Sequence, residues 1–280
     1  MTADQYRLAR LRPRINGAAA AGTAYFATNT AADFDSAAGK LWTLVPSPFT
    51  GSPGNQGSAW DGAFRAGVQV LQDDVDFLAP CAPANVFGMA HNTGAPGRAL
   101  PPQAFHKAAT SVVGPGETIL LAAGTGAVEP EAELAAVVGV RSRHLNLANA
   151  RSALLGYTIG NDVTARGLQL SDQLWISAKS QDTYTPLGPW IVAGGAPGAF
   201  DDAAIGITHN GERLRTASTA DLGWNVAEIL VYLSSFMTLH PGDVVLTGFP
   251  AQSRPLQPGD TVSCAIAGIG ALSNPVGADA

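Results

Sequence analysis

The segment Gly156-Tyr-Thr-Ile-Gly-Asn-Asp-Val-Thr-Ala-Arg-Gly-Leu-Gln169 combines a β-type run with polar residues at regular spacing. Its first half is rich in residues that favour strands. Asn161 and Asp162 are residue types that accept hydrogen bonds from the free N–H groups of a starting helix. The segment therefore predicts a strand, a turn and a helix. If the helix begins near Asp162, then Asp162, Arg166 and Gln169 share one helical face, which is too polar for a core stripe.

A second segment, Glu129-Pro-Glu-Ala-Glu-Leu-Ala-Ala-Val-Val-Gly139, places acids at the start of an apolar run. If residues 131–138 form a strand, Glu131 and Glu133 project from the same side, because side chains alternate between the faces. Two carboxylates there repel each other unless protons or a cation intervene. Oxygen ligands without neighbouring Cys or His favour Mg²⁺, Mn²⁺ or Ca²⁺ over Zn²⁺. The alternative is an exposed strand with both acids in water, and Asp162 nearby weakens it.

The composition excludes several classes of function. The chain has 280 residues, 46% apolar content and a formal net charge of −6, with 14% of residues charged. It lacks the basic surface that holds phosphates, so nucleic acid is not an expected partner. No apolar run reaches the roughly 18 residues of a membrane span, so no membrane association is expected. Cys81 and Cys264 have no metal-ligand spacing around them, which predicts buried thiols in a reducing compartment and a cytoplasmic protein.

The pattern along the chain predicts two parts. Residues 1–79 are weakly patterned and include a loop at residues 46–57, so we expect a small, divergent N-terminal domain. Residues 80–280 alternate apolar runs with turns, and residues 86–90 are the first expected strand of this main domain. Three turns, Pro115-Gly-Glu, Pro241-Gly-Asp and Pro258-Gly-Asp, each precede a β-type run. One helix is expected at residues 224–238. The fold class predicted is α+β, mainly β.

Three further motifs follow in order: Lys179-Ser-Gln-Asp-Thr-Tyr-Thr-Pro-Leu-Gly-Pro189, Pro241-Gly-Asp-Val-Val-Leu-Thr-Gly-Phe-Pro250 and Gly268-Ile-Gly-Ala-Leu272. With the two acidic segments they make five collinear motifs, and their order and spacing resemble those of the fumarylacetoacetate hydrolase family. The first domain matches that family poorly. The resemblance implies a C-terminal domain of the fumarylacetoacetate hydrolase type, built on a rolled mixed β-sheet. It also implies a homodimer.

The resemblance implies roles for individual residues. The family's carboxylate metal ligands correspond to Glu131, Glu133 and Asp162, with Mg²⁺, Mn²⁺ or Ca²⁺ as the expected ion. Its active-site lysine corresponds to Lys179, with Arg166 and Gln169 beside the substrate. The substrates implied are small 2-oxo acids or β-diketo acids. A bound metal then stabilises the enolate that forms when a C–C bond breaks or a proton leaves the α-carbon.

The chain departs from the family at several positions. Hydrolytic members carry a His and a Glu on a lid that follows a Gly-x-Asn-Tyr segment, and neither occurs at the matching positions of Met89-Ala-His-Asn-Thr-Gly-Ala-Pro-Gly-Arg98. His91 is a candidate replacement base, although a histidine packed at a strand end is an equal alternative. His106 is a second candidate, beside Lys107 as a candidate substrate contact. Phe249 replaces a Thr and indicates a more apolar substrate tail.

Three functions are compatible with these residues. The leading hypothesis is metal-dependent C–C bond hydrolysis of an acylpyruvate-like acid through a metal-stabilised enolate. The second is tautomerisation, double-bond isomerisation or decarboxylation of a 2-oxo acid at the same metal site. The third is a metal-binding relative without catalysis, which the retained charges make the weakest alternative. Three other histidines, at positions 144, 209 and 240, are expected in loops or at a helix end, exposed to water.

Overall fold

The computed structural model of the chain describes residues 5–15, 18–19, 24–30, 36, 38–49, 66–94 and 99–279. The strands of the first part are β1 Tyr6–Ile15, β2 Ala18–Ala19, β3 Tyr25–Asn29, β4 Leu41–Val45, β5 Gln69–Leu71 and β6 Val75–Leu78. Those of the middle are β7 Val86–Met89, β8 Ala104–Lys107, β9 Val112–Val113, β10 Ile119–Leu121, β11 Val128–Glu129, β12 Ala132–Val138 and β13 Leu154–Asn161.

The remaining strands are β14 Thr164–Ala165, β15 Thr185–Ala193, β16 Ala204–His209, β17 Glu212–Arg213, β18 Ala217–Ser218, β19 Val244–Leu246, β20 Thr261–Ile266 and β21 Gly270–Ala278. The α-helices are α1 Arg166–Gln169, α2 Ile176–Lys179 and α3 Val226–Phe236. Strands therefore dominate the described part of the chain, as the turn-and-run pattern predicts.

Two large sheets organise the molecule. The larger follows the order β5-β4-β3-β1-β15-β13-β12-β19-β7-β8, with β2, β6 and β9 paired alongside. Its pairs are antiparallel except for β19 with β7 and β15 with β9, which are parallel. The second follows β10-β21-β20-β16-β17, with β10 and β21 parallel. These mixed sheets confirm the predicted α+β, mainly β fold class.

Strand β12 lies at the centre of the larger sheet, between β13 and β19. Every one of its residues is buried. A strand covered on both faces has a nearly continuous apolar sequence. All residues of β12 are apolar except Glu133. Burying a side chain such as Val137 contributes roughly 1.5–3 kcal/mol, whereas an unpaired carboxylate costs free energy. The sheet therefore places one acid where it requires a partner.

The strands of the first 79 residues join this same sheet. Strand β1 pairs with β15 in an antiparallel register, with Leu8 opposite Ile191. The Trp42 ring lies 5.9 Å from the Trp190 ring and 5.3 Å from the Phe77 ring, measured between centroids. Aromatic packing thus continues from the first part of the chain into the second. The division into domains at residue 79 stays a prediction, and residues 50–57 of the expected loop lie outside the described residues.

The three Pro-Gly turns adopt the predicted backbone. Their glycines, Gly116, Gly242 and Gly259, have φ values of 76°, 90° and 96°. Positive φ at this position is what a type II turn requires after Pro. Strands β10, β19 and β20 follow the three turns within a few residues. The prediction that each turn precedes a strand is confirmed.

Helix α3 lies inside the predicted range 224–238 and begins with a capping box. The Asn225 side chain accepts a hydrogen bond from the Glu228 N–H at 3.1 Å. The Glu228 carboxylate accepts one from the Asn225 N–H at 3.0 Å. Each side chain therefore satisfies a backbone donor that the first helical turn leaves free.

Replacing Asn225 with Ala is expected to lower the free energy of unfolding by about 1 kcal/mol, because the N-cap acceptor is lost. Urea denaturation of the two proteins measures the difference. Asn225→Asp serves as the control, since it keeps an acceptor oxygen at the cap. An equal loss of stability in both variants would contradict the capping role.

The smaller sequence predictions have mixed outcomes. Cys81 and Cys264 are buried and unpaired, as predicted. His144 and His240 are exposed, as predicted, but His209 is not. It lies in β16, is 8% exposed, and its Nε2 lies 2.8 Å from the Asp260 carboxylate. Strand alternation turns its ring inward, and a sequence prediction that places His209 in a loop does not show this.

Among the described residues, no helix combines the length and apolarity needed to cross a membrane.

Candidate active site

A pocket of about 320 Å³ lies where the start of β12 and the end of β13 meet α1 and α2. Carboxylates and cations occupy part of its wall, and aromatic and aliphatic side chains occupy the rest. The lining residues are Met89, Ala90, His91, Thr93, Phe105, Glu131, Glu133, Asp162, Arg166, Gln169, Leu170, Trp175, Lys179, Gly248 and Phe249. The pocket therefore includes both acidic segments that the sequence singles out.

Strand pairing brings the three acids together. In the ladder between β12 and β13, Glu133 lies opposite Gly160, and the Asp162 N–H donates to the Glu131 carbonyl at 2.9 Å. One ligand oxygen from each of Glu131, Glu133 and Asp162 lies within 4.8 Å of the others. The predicted strand at residues 131–138 is confirmed, with its first residue just outside β12. Residues thirty positions apart thus form one acidic cluster.

The helix expected to begin near Asp162 begins later, at Arg166. Thr164 and Ala165 instead form the short strand β14 against β11, and the Arg166 N–H donates to the Ala127 carbonyl at 2.7 Å. Pairing with β11 outcompetes helix formation over these residues. The expectation that Asp162 shares a helical face is therefore wrong. Arg166 and Gln169 do share α1, and the guanidinium donates to the Gln169 side-chain oxygen at 3.0 Å.

Lys179, at the end of α2, inserts its ammonium group into the acidic cluster. Its Nζ donates to the Glu131 carboxylate at 2.8 Å and to the Asp162 carboxylate. The Phe105 ring centroid lies 4.7 Å from the same nitrogen. Burial alone would lower the pKa of Lys179, but the two carboxylates outweigh burial and raise it. The group therefore stays protonated at neutral pH.

Lys107 holds the opposite side of Asp162. It is fully buried, its Nζ lies 2.6 Å from Asp162 Oδ1, and it also donates to the Val163 carbonyl at 3.3 Å. Burial lowers the pKa of Lys107 despite the opposing attraction of Asp162. Lys107 is not among the pocket-lining residues, and its ammonium binds Asp162 Oδ1; its role as a substrate contact stays a prediction.

The carboxylates of the cluster differ in their partners. Glu131 accepts from the Arg166 guanidinium at 2.8 Å as well as from Lys179. Burial would raise the pKa of Glu131, but these two cations outweigh it and lower the pKa to about 2. Glu133 accepts the Gly248 N–H at 2.5 Å. Burial, followed by the charges of Asp162 and Glu131, raises the pKa of Glu133 well above its usual value.

The cluster fits a hard divalent cation. Within the described part of the chain, Lys and Arg side chains form ion pairs with Glu131 and Asp162, but none does so with Glu133. A buried carboxylate without a cation is costly, and a metal ion resolves that cost. The donor set consists of carboxylate oxygens, which suits Mg²⁺, Mn²⁺ or Ca²⁺.

Adding Mg²⁺ at about 100 times its Kd is expected to stabilise the protein by about 2.7 kcal/mol, a rise in Tm of about 5 °C. Because the pKa of Glu133 is raised and a carboxylate must lose its proton to bind a metal, metal binding competes with protonation of Glu133 and strengthens as pH rises. Thermal denaturation and calorimetry in two buffers of different ionisation enthalpy measure both effects. Glu133→Gln should lose most of the shift, and an unchanged shift in this variant would remove Glu133 from the ligand set.

The two candidate bases lie in different places. His91 borders the pocket with φ of 58°, and its ring centroid lies 5.3 Å from that of Trp175. His106 lies in β8 between Phe105 and Lys107, and its ring packs 5.6 Å from that of Phe87, outside the pocket lining. Strand alternation sends His106 to the opposite face from Phe105. His106 is therefore an exposed residue of that other face, and its role as a base stays a prediction.

Three aromatic residues also line the pocket, and only one of them, Phe249, belongs to a recognisable motif. Phe249 is 6% exposed and borders the pocket, where its motif places it. Phe105 and Trp175 were missed, because isolated aromatic residues are usually part of the core. The Asn92 side chain forms hydrogen bonds with two backbone groups: it donates to the Thr247 carbonyl at 2.6 Å and accepts from the Trp224 N–H at 2.8 Å. These bonds hold the chain beside Gly248 in place.

Comparisons with known proteins agree with this geometry. A family model described as fumarylacetoacetate (FAA) hydrolase C-terminal matches residues 79–277. The Mycobacterium tuberculosis protein Rv2993c is 44% identical over 175 residues, which cover 62% of this chain and 66% of that protein. The Xenopus laevis protein named oxaloacetate tautomerase fahd2, mitochondrial, is 35% identical over 62% of this chain. The match covers 58% of that protein, so this chain spans less than two thirds of either relative.

Solved structures match nearly the whole chain. The 2-hydroxyhepta-2,4-diene-1,7-dioate isomerase from Mycobacterium marinum has a TM-score of 0.81 at 35% identity, covering 98% of each chain. The fumarylacetoacetate hydrolase from Exiguobacterium antarcticum has a TM-score of 0.77 at 30% identity, covering 97% of this chain and 100% of that one. One fold thus accommodates proteins named as an isomerase and as a hydrolase. The matched domain and these full-length likenesses show that the chain belongs to the fumarylacetoacetate hydrolase family.

Proposed function

We propose that this protein catalyses a proton shift in a small 2-oxo acid, either between enol and keto forms or along a double bond. The observation that carries the proposal is the buried Lys179 ammonium, which lies 2.8 Å from Glu131 and borders the same pocket as the acidic cluster. A fixed positive charge in a site of low dielectric stabilises negative charge that develops on a substrate oxygen. Removal of a proton beside a carbonyl creates that charge.

Different residues of the pocket would bind the metal and orient the substrate. Glu131, Glu133 and Asp162 would hold a divalent metal, which supplies Lewis-acid stabilisation of the same oxygen when bound. Arg166 borders the pocket and points its guanidinium at the Glu131 carboxylate, so it can also orient the acid group of a substrate. Gln169 accepts from that guanidinium at 3.0 Å and holds it in place. Substrate orientation therefore comes from α1.

We assign His91 as the group that takes the proton from the α-carbon and returns it. It is exposed to the pocket, and imidazole accepts and donates protons near neutral pH. Contact with the Trp175 ring limits its orientation. The carboxylates of the cluster are committed to cations or to the metal, which leaves His91 as the pocket residue best suited to this step.

Hydrolysis of a C–C bond ranks second, because it also requires an activated water. The family's hydrolytic lid has a His and a Glu for this purpose, and neither occurs at the matching positions of this sequence. The names of the Xenopus and Mycobacterium marinum proteins also favour a proton shift. Decarboxylation and a non-catalytic metal-binding role rank lower. We further propose that the protein is a homodimer and that it acts in the cytoplasm. Light scattering tests the dimer against the chain mass of 28.6 kDa.

The decisive experiment incubates the purified protein with Mg²⁺ or Mn²⁺ and the enol forms of oxaloacetate and an acylpyruvate, and follows enol absorbance and products by NMR. We expect EDTA-sensitive loss of the enol with an intact carbon skeleton. His91→Gln should slow this turnover by about 10²–10⁴. Two acid fragments would instead establish hydrolysis, and release of CO₂ would establish decarboxylation. Metal binding without any turnover would support the non-catalytic role.

A further inference from the structure

The pocket wall beyond the acidic cluster is aromatic and apolar. Phe105, Trp175 and Phe249 border the pocket together with Met89 and Leu170. The Trp175 ring centroid lies 5.6 Å from that of Phe105, whose ring in turn covers the Lys179 ammonium at 4.7 Å. We call Phe105, Trp175 and Phe249 the aromatic wall. It begins at the charged residues that would bind the reacting end of a substrate.

One exposed lining residue of the pocket, Leu170, is apolar. Leu170 borders the pocket, yet 92% of its surface is exposed. An apolar side chain in this position is stabilised when an apolar group covers it, because both surfaces leave water. A substrate tail that extends from the aromatic wall to Leu170 would cover it. The wall and Leu170 therefore favour the same kind of tail.

The cations of the pocket are already engaged. Lys179 is bound to Glu131 and Asp162, and Arg166 is bound to Glu131 and to Glu129 at 3.0 Å. The acid group at the reacting end of a substrate would share these cations. Among the described lining residues, no other Lys or Arg is left for a second carboxylate. A carboxylate placed against the aromatic wall would lose hydration and would gain no Lys or Arg partner among the described lining residues.

We propose that this pocket selects 2-oxo acids with an apolar tail over analogues with a second carboxylate, and that Phe249 and Leu170 determine this specificity. The identity of the reacting end rests on the proposed function, whereas the tail preference follows from the aromatic wall. Substrates of the oxaloacetate type, with acid groups at both ends, are then poor substrates. The protein acts on 2-oxo acids whose far end is alkyl or aryl.

Binding of two matched ligands tests the proposal without requiring turnover. N-oxalylglycine and N-isobutyloxamate share one reacting end and differ in a carboxylate or an isopropyl group of similar shape at the other. Calorimetry on the Mg²⁺-loaded protein should give a Kd for N-isobutyloxamate that is lower by roughly 10–100-fold. Equal binding of the two ligands, tighter binding of N-oxalylglycine, or binding of neither would overturn the proposal.

Variants identify the residues responsible. Phe249→Thr should reduce the preference by about tenfold, because the ring that contacts the tail is removed. Leu170→Gln should reduce it by a smaller factor, and this exposed position tolerates the change without loss of the fold. Phe236→Thr makes the same chemical change at a half-exposed site outside the pocket lining and should leave the preference unchanged. An unchanged preference in both pocket variants would overturn the assignment.

Turnover separates this proposal from the proposed function. The enol of phenylpyruvate should show a kcat/KM at least about tenfold above that of oxaloacetate. Apolar preference in binding with no turnover of either enol would end the proposed function and leave the specificity inference standing. Turnover that favours oxaloacetate would end the specificity inference and leave the proton shift standing.

Discussion

Replacing Lys179 with Met is expected to lower kcat/KM for enol turnover by about 10³, a loss of about 4 kcal/mol in transition-state stabilisation. The ammonium group is buried, borders the pocket and stays protonated because two carboxylates raise its pKa. Methionine keeps the length of the side chain and the contact with the Phe105 ring, but it carries no charge. The loss should appear in kcat, because the charge acts on an oxygen that becomes negative in the transition state.

The same substitution should also destabilise the metal-free protein by roughly 3–5 kcal/mol, because Glu131 and Asp162 lose the cation between them. Mg²⁺ should recover part of this loss, since it neutralises the same carboxylates. Steady-state kinetics and thermal denaturation with and without Mg²⁺ measure the two effects. Lys40→Met, at an exposed position, is the matched control and should change neither. Wild-type turnover in Lys179→Met would refute the catalytic role.

Replacing Gly248 with Ala is expected to cost at least about 3 kcal/mol of stability and to weaken metal binding. Gly248 has φ of 113°, and an added Cβ would meet the Asn92 carbonyl oxygen at 2.1 Å. Asn92 cannot yield, because its side chain is bonded to Thr247 and Trp224. The Gly248 N–H also donates to the Glu133 carboxylate, so displacement of this backbone moves one carboxylate of the acidic cluster.

Gly259 provides the control for this substitution. Its φ of 96° imposes a comparable backbone strain, but an added Cβ there would meet nothing within 4 Å. Gly259→Ala should therefore cost only about 1–2 kcal/mol, the price of the left-handed backbone alone. Chemical denaturation and Mg²⁺ titration of the two variants isolate the effect of close packing beside Asn92. Equal losses of stability in the two would show that the approach to Asn92 is unimportant.

The acidic cluster was predictable for two different reasons. Glu131 and Glu133 alternate along one strand, so their common side follows from local geometry. Asp162 was associated with them through the family resemblance, whereas the predicted helix, which begins only at Arg166, related Asp162 to Arg166 and Gln169. It reaches the cluster because β13 pairs with β12, which places its N–H against the Glu131 carbonyl. The expected residue was right, and the expected element was wrong.

The histidines show where local pattern fails. His91 was the first candidate base and His106 the second, and both are exposed. The side of β8 on which His106 lies depends on the register between β7 and β8, in which His106 stands opposite Phe87. Register is decided by packing of the whole sheet, so no property of residues 104–107 alone places His106 outside the pocket lining.

The sequence by itself determined the mainly β fold class, the turns that precede β10, β19 and β20, and the acids, cation and amide of the site. Turn chemistry and strand alternation are local, and the order of five motifs identified the family. Only the tertiary structure decided that Lys107 holds Asp162 from behind and that Phe105 and Trp175 line the pocket. These contacts join distant parts of the chain, and their formation depends on sheet register and packing, which no local pattern encodes.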